Sequence, residues 1–281
     1  MRRLTLLLSL PALLATAQAA TTEMSLTTQD GYTLSGTLTV PDGKGRHPVV
    51  ILAHQFRSDR NGWAPLAAKL QARGLATLAL DLRGHGASTD QAGVKVAVTG
   101  DFLPSARLVG FDQIPSDLAL AATWVRKQKG INGRRVGLAG SSVGAFASLL
   151  AAPKIRPDVV LALSPAGMEA FGDRARDRMV SAATRSHTSV MAFVSLGDKE
   201  ALDNTEPLKA NFGANIRTFE GSRHGFDFLD AHSDVMAVFF AEYLLHPHML
   251  RPVAAPAPQP AAAAPSTATD LTPQTAPTAT P

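Results

Sequence analysis

Apolar and polar positions follow two different patterns along the chain. Between Met24 and Val40 they alternate, and the turn-forming stretch Gln29-Asp30-Gly31 divides this part into two segments. Alternation with a period of two indicates half-buried strands, and a short turn between them predicts an antiparallel hairpin.

After the hairpin, the pattern changes to short and almost continuous apolar runs separated by amphipathic stretches. Strands that are covered on both faces have such runs. The runs are VVILAH (49–54), LATLALD (75–81), RVGLAG (135–140), DVVLALS (158–164), VMAFVSLG (190–197) and IRTFEG (216–221). The stretches with helical character are WAPLAAKLQARG (63–74), PSDLALAATWVRKQ (115–128), VGAFASLLAA (143–152) and SDVMAVFFAEYLL (233–245). This alternation predicts an α/β fold: a mostly parallel central sheet with helices on both faces and an N-terminal antiparallel hairpin.

The two ends of the chain differ from this central part. Residues 1–20 combine two arginines, a short apolar core and Ala17-Gln18-Ala19, which predicts a secretory signal peptide cleaved after Ala19. The alternative is a membrane anchor that is retained. Residues 247–281 are rich in Pro, Ala and Thr, which predicts a disordered tail. Residues 21–246 are then one domain of an exported protein, either periplasmic or secreted.

Composition narrows the classes of function. Loss of Arg2 and Arg3 with the leader lowers the formal charge from +4 to +2, and the remaining basic residues are scattered, which argues against a nucleic-acid partner. No second long apolar run follows the leader, so no stable membrane insertion is expected after its removal. The sequence has no cysteine, so the domain depends on core packing without disulfides.

Ser142 is the candidate nucleophile. Gly140-Ser141-Ser142-Val143-Gly144 fits G-x-S-x-G between a predicted strand and a predicted helix, which is the context this motif requires. A very tight turn strains the backbone at the nucleophile, and glycines two before and two after it remove side chains that would collide. The alternative is that Ser142 is only an N-cap residue.

A serine hydroxyl needs a base, and His224 is the candidate. It follows the last predicted strand and precedes the last helix, C-terminal to the serine. The alternative is a hydrogen-bonded loop histidine. The acid that orients it should follow the preceding strand, where Asp198, Glu200 and Asp203 compete, and the pattern alone does not choose among them.

A site with a serine nucleophile also needs donors for the oxyanion. A candidate loop follows the first parallel strand and reads Ala53-His54-Gln55-Phe56-Arg57. The backbone N–H of Phe56 is expected to join that of Val143 in an oxyanion hole. His85, between two glycines, is interpreted as a structural turn residue. No metal-ligand spacing and no dinucleotide fingerprint are present, so neither a metal nor a cofactor is expected.

The linked motifs resemble the α/β-hydrolase family, most closely its compact dienelactone-hydrolase type. The matching pieces are LAHQF, NGWAPLAAKLQARGLATLALDLRGHGAS, GSSVGA, GDKEALD and GSRHGF, and the resemblance runs from Glu23 to Leu245. In this family the acid commonly lies three residues past a glycine, which favours Glu200 after Gly197, with Asp198 second. Glutamate in place of aspartate and Gln55 in place of a glycine are departures. Dienelactone hydrolase has a cysteine nucleophile, so its own activity is not implied.

The resemblance implies a serine hydrolase with a carboxylesterase activity on small-molecule esters through an acyl-enzyme, and the predicted leader makes it an exported one. The segment 165–189 is short and charged, so no large lid is expected. Two alternatives remain at this point. One is a catalytically silent hydrolase fold that binds a ligand, and the other is a peptidase or amidase. The natural substrate and the oligomeric state do not follow from the sequence.

Overall fold

A computed structural model describes residues 19–185 and 188–246. Most of the predicted leader (residues 1–18) and the predicted tail (247–281) lie outside the described residues, and so does His187. Within the described ranges, no helix has the length and the apolar character needed to cross a membrane.

An eight-stranded sheet forms the centre of the domain, and β5 and β6 pair separately as a small ladder. The strands are β1 (Ala20–Thr27), β2 (Thr33–Val40), β3 (His47–Ala53), β4 (Ala76–Leu80), β5 (Asp90–Gln91), β6 (Val94–Lys95), β7 (Ile131–Ser141), β8 (Val159–Leu163), β9 (Ser189–Ser195) and β10 (Asn215–Phe219). The helices are α1 (Ala64–Gln71), α2 (Phe102–Val109), α3 (Ile114–Val125), α4 (Val143–Ile155), α5 (Ala175–Arg185), α6 (Lys199–Phe212) and α7 (Leu229–Leu245).

The strand order across the sheet is β1-β2-β4-β3-β7-β8-β9-β10. β2 pairs antiparallel with both β1 and β4, whereas every pair from β4 through β3 to β10 is parallel. The predicted hairpin is confirmed, with Thr27 opposite Thr33 beside the turn. The predicted fold class, a mostly parallel α/β sheet with an antiparallel N-terminal hairpin, is therefore confirmed.

Successive side chains of a strand point to opposite faces, so a strand buried on both faces must be apolar throughout. β3 shows this directly: Val49, Ile51 and Ala53 belong to one hydrophobic core, and Val50 and Leu52 to the other. Helices α1 and α7 cover the second core, while α3, α4, α5 and α6 cover the first. Helices thus lie on both faces of the sheet, as predicted.

Three helices were not predicted from the sequence. α2 lies in the long connection after β4, α5 in the charged segment after β8, and α6 directly after β9. The third matters most, because it places Glu200 in the first turn of a helix where the sequence pattern suggested a loop.

A buried arginine joins the hairpin to the rest of the domain. Arg83 has a side chain that is 1% exposed and forms a two-point contact with Asp117 of α3, with Nε to Oδ2 at 2.6 Å and Nη2 to Oδ1 at 2.8 Å. Its Nη1 also donates to Asp30 in the hairpin turn, at 2.8 Å, and the guanidinium lies 4.8 Å from the centre of the Tyr32 ring. One cation therefore connects three segments that are far apart in the chain.

Candidate active site

The predicted site residues lie where strands of the sheet end. Phe56 follows β3, Ser142 follows β7, Asp198 follows β9 and His224 follows β10. The carboxyl ends of parallel strands lie along one edge of a sheet, which is where α/β proteins bind their ligands. The fold accordingly brings these four positions to the same side of the domain.

The backbone at Ser142 is strained, as the glycine spacing predicted. Ser142 has φ 52° and ψ −117°, a conformation that L residues rarely adopt. A Cβ at Gly140 would collide with the backbone of Gly144 and Ala145, and a Cβ at Gly144 would collide with the carbonyls that end β3. Ser142 stands at the N-cap position of α4, but its side chain makes no capping hydrogen bond. The hydroxyl is therefore not used to cap the helix.

His224 is paired with Asp198. Its Nδ1 lies 2.7 Å from Oδ2 of Asp198, and the carboxylate side chain is 12% exposed while the imidazole is 38% exposed. A carboxylate only accepts, so Nδ1 carries the hydrogen and Nε2 of a neutral ring is left as an acceptor. His224 therefore has the tautomer that a general base requires.

Two backbone hydrogen bonds hold the loops that carry this pair. Leu196 N–H donates to Phe219 at 2.9 Å, and Gly197 N–H donates to Gly221 at 2.8 Å. A Cβ at Gly197 would lie 2.7 Å from the Gly221 carbonyl oxygen, so only glycine allows this approach. The ends of β9 and β10 are thereby fixed against each other, and so are the acid and the base.

The preference for Glu200 as the acid is corrected by this geometry. Asp198 is the last residue before α6, whereas Glu200 lies two residues further on, about 200° around the helix axis. Its Oε1 accepts a hydrogen bond from the N–H of Gly167 at 2.6 Å. Asp203 lies exposed on the same helix. Of the three carboxylates, Asp198 is the one on His224.

Two backbone N–H groups, one beside Ser142 and one in the loop after β3, are the next part of the site. Neither Phe56 N–H nor Val143 N–H, which opens α4, has a hydrogen-bond partner among the described residues. Arg57 has φ 59°, so the backbone is also strained beside Phe56. The Phe56 ring packs edge-on against His85, Phe102 and Phe111, with ring centres 5.3–6.2 Å apart. This packing holds the Phe56 side chain in place beside the loop.

His54 supports this loop from beneath. It is fully buried, its Nε2 accepts from Leu82 N–H at 3.0 Å, and its Nδ1 donates to the carbonyl oxygen of Gln55 at 2.7 Å. Burial lowers the pKa of His54 to about 3, and the neighbouring His85 adds to the effect. The ring is therefore neutral near pH 7, with a single tautomer set by its two partners.

His85 has a structural place, in agreement with its interpretation as a turn residue. Its ring is buried, its Nδ1 donates to the carbonyl oxygen of Arg83 at 3.0 Å, and it stacks on Phe111. Burial also lowers the pKa of His85.

Gln55 stands where the family usually has a glycine, and its side chain connects three parts of the site. Its side-chain Oε1 accepts from the Ser141 hydroxyl at 2.8 Å and from Phe226 N–H at 3.0 Å. Gly225 has φ 56°, and a Cβ there would collide with Oε1. The loop after β3, the turn at Ser142 and the loop carrying His224 thus meet at one oxygen atom.

These parts surround a small cavity of about 300 Å³. Its walls are formed by Gln55, Phe56, Phe102, Ser142, Ala166, Gly167, Glu169, Glu200 and His224. Four of these residues, Phe102, Ala166, Gly167 and Glu169, lie in connections whose path no sequence pattern defines, so they could not be predicted as part of the site. Within the part of the chain that the structure describes, no group of three or more His, Asp or Glu side chains is placed to hold a metal ion.

Comparison with known proteins agrees with this architecture. Among solved structures, the chain resembles acetyl xylan esterase 1 from Thermoanaerobacterium, with 18% identity, a TM-score of 0.58 and coverage of 81% of this chain and 88% of that one. It also resembles a dienelactone hydrolase from Anabaena variabilis, with 21% identity, a TM-score of 0.56 and coverage of 82% and 98%. At such identities the likeness concerns the fold.

A curated relative from Escherichia coli, an uncharacterized 31.7 kDa protein from the traX-finO intergenic region, is 35% identical over 109 residues. The match covers 38% of this chain and about a third of the relative's length.

The family model described as serine aminopeptidase, S33, matches residues 45–190, which is just over half of the chain. This span includes the loop after β3 and the strained turn at Ser142, and it lies within the α/β-hydrolase fold described above. The chain therefore belongs to the serine aminopeptidase S33 family of α/β hydrolases.

Proposed function

We propose that the protein is an exported carboxylesterase that uses Ser142, His224 and Asp198 as a catalytic triad on small-molecule esters. The observation that carries the proposal is the convergence of three features on one cavity. These are a serine with a strained backbone, a histidine held in one tautomer by a carboxylate, and the N–H group of Phe56, which makes no hydrogen bond to a described residue. The N–H of Val143, which also has no partner among the described residues, follows Ser142 directly.

In the first half of the reaction, Ser142 Oγ attacks the ester carbonyl carbon and its proton passes to Nε2 of His224. The carbonyl π electrons move to oxygen, and the N–H groups of Phe56 and Val143 stabilise this oxyanion. Collapse of the intermediate expels the alcohol, which takes the proton from His224. Asp198 stabilises the imidazolium through Nδ1–H and remains ionised.

In the second half, water attacks the acyl-enzyme with His224 as base. Its proton passes to Nε2 and then to Ser142 Oγ as the carboxylic acid leaves. No cofactor enters either step.

Labelling with a fluorophosphonate and turnover of p-nitrophenyl acetate test this proposal. We expect the probe to label Ser142, and Ser142→Ala to abolish both labelling and turnover without a large change in Tm. Ser116→Ala, which removes an exposed hydroxyl on α3, is the matched control and should keep both. Turnover by the wild type that equals that of Ser142→Ala would instead support a catalytically silent binding protein.

An amidase or aminopeptidase activity is the second candidate. The name of the family favours it, and two carboxylates, those of Glu169 and Glu200, lie in the cavity wall where they would face a substrate's free amino group. Alanine p-nitroanilide and p-nitrophenyl acetate compared at matched concentrations separate the two activities. We expect faster hydrolysis of the ester, and a higher kcat/KM for the anilide would reverse the assignment.

Export is proposed on the composition of residues 1–20, which lie almost entirely outside the described range. N-terminal sequencing of the protein recovered from the periplasm or the medium of expressing cells should begin at Ala20. Recovery of a chain that still begins at Met1 in the cytoplasm would contradict both the leader and the predicted location.

A further inference from the structure

The carboxamide of Gln55 has one end that is fully engaged. Phe226 N–H can only donate, so the atom that faces it must be the carbonyl oxygen of the carboxamide, which fixes the orientation of the group. The Ser141 hydroxyl donates to the same oxygen and thereby fills its second acceptor position.

The other end of the carboxamide has no such partner. Nε2 makes no hydrogen bond to any other described residue, and Gln55 lies in the wall of the cavity together with Ser142 and His224. Because Oε1 is held against Ser141, Phe226 and Gly225, the part of the carboxamide left to face the cavity is its NH₂ group. The result is an N–H donor whose position is fixed before any substrate binds.

We propose that Gln55 Nε2 is a third oxyanion donor, acting beside the N–H groups of Phe56 and Val143 on the tetrahedral intermediate. The inference rests on the esterase function proposed above. Gln55 immediately precedes Phe56, so side chain and backbone approach the acyl oxygen from the same loop. Donors that are held in place stabilise developing charge without reorganising during the reaction. The departure from glycine at position 55 thus adds a donor to the oxyanion hole.

Two substitutions with side chains of nearly the same size as glutamine separate the role of the NH₂ donor from the role of Oε1 in joining the loops. Gln55→Glu keeps an oxygen that accepts from Ser141 and Phe226 but replaces the NH₂ group by an acceptor. Gln55→Met removes donor and acceptor together and adds no charge. For both we expect kcat for p-nitrophenyl acetate to fall about 10²–10³-fold, the loss typical of one oxyanion donor, with a much smaller change in KM.

Two results would overturn the inference while leaving the esterase function intact. If Gln55→Glu has a wild-type kcat and Gln55→Met does not, the side chain only holds the loops together. If Gln55→Met has a wild-type kcat, the donor is not used. Thermal unfolding of each variant accompanies the kinetics. Should Gln55→Met not fold, Gln55→Glu alone tests the inference, because a wild-type kcat in a variant that lacks the NH₂ group would overturn it. A wild type with no turnover above Ser142→Ala would instead mean that the proposed function itself has failed.

Discussion

Asp198 and Glu200 are only two residues apart, yet their carboxylates serve different parts of the molecule. Asp198 ends the connection from β9 and reaches His224, while Glu200 has entered α6 and holds the N–H of Gly167 in the cavity wall. A rotation of about 100° per residue separates the two directions. The residue at which α6 begins therefore determines which of the two carboxylates contacts His224.

Replacing each carboxylate by its amide tests this division. Asp198→Asn should lower kcat/KM by about 10⁴-fold, because an amide no longer fixes the productive tautomer of His224. Glu200→Gln makes the same chemical change two residues away and still offers a carbonyl oxygen to Gly167, so its kcat/KM should stay within about tenfold of the wild type. Steady-state kinetics on one ester measures both, and the reverse order of effects would return the role of the acid to Glu200.

At the scale of elements, the turn between β7 and α4 depends on two glycines that have no room for a side chain. Gly144→Ala should lower the free energy of unfolding by about 3 kcal/mol, because its Cβ would overlap the carbonyls at the end of β3. Gly100→Ala is the control, since a Cβ there meets nothing within 4 Å. It should change stability by less than about 0.5 kcal/mol. Urea unfolding monitored by tryptophan fluorescence compares them, and equal stabilities would contradict the steric argument.

The walls of the cavity come from the loop after β3, from α2 and from the connection after β8, and they enclose about 300 Å³. This volume is at the lower end of the range for small-molecule sites. We therefore expect kcat/KM to be highest for acetyl to butyryl esters and to fall by tenfold or more for decanoyl esters. A series of p-nitrophenyl esters measures this preference. A constant or rising kcat/KM with chain length would show that the acyl group lies elsewhere.

The elements that could be predicted well are those whose burial requires a regular pattern of apolar residues in the sequence. β3 is apolar from Val49 to Ala53 because both of its faces are covered. The motif G-x-S-x-G is recognisable in the sequence because a Cβ at either glycine would collide with the backbone. α6 is less evident in the sequence, because it contains Pro207, which normally argues against a helix, and because few of its residues are apolar. The preference for Glu200 came from the family's spacing of the acid three residues past a glycine, and this spacing does not show where α6 begins. The role of Gln55 in joining three loops depends on long-range contacts, which no local pattern contains.

At the scale of the whole molecule, stability should depend on pH through His54. Its pKa is about 3 in the folded state and near 6.5 when the chain is unfolded, so between these values the unfolded state binds the additional proton. The stability that this difference contributes is complete above pH 6.5 and is lost as the pH falls toward 3. The free energy of unfolding should therefore decrease from pH 7 to pH 5.

The variant His54→Asn isolates this contribution. It should be less stable than the wild type at pH 7. Its free energy of unfolding should also change less steeply with pH, because unfolding no longer takes up the proton that binds His54, about one proton toward pH 5. Urea unfolding at several pH values gives both slopes. His85, whose pKa is also lowered by burial, remains in both proteins, so it accounts for part of the slope that is left. Identical slopes would mean that His54 does not carry the effect.

The buried guanidinium of Arg83 opposes local unfolding of the N-terminal hairpin. If the hairpin of β1 and β2 detached by itself, Asp30 would move away with it. The buried guanidinium of Arg83 would then keep its ion pair with Asp117 but lose the one with Asp30. Asp30 itself is 42% exposed, so its loss costs less than the about 3–5 kcal/mol of a fully buried pair. Detachment would also expose residues that belong to the hydrophobic core, namely Tyr32, Leu34 and Leu38. Together these losses make local opening of the hairpin unfavourable. The hairpin should accordingly open only in the global transition. Its backbone amides would then exchange with solvent at the same slow rate as those in the middle of the sheet.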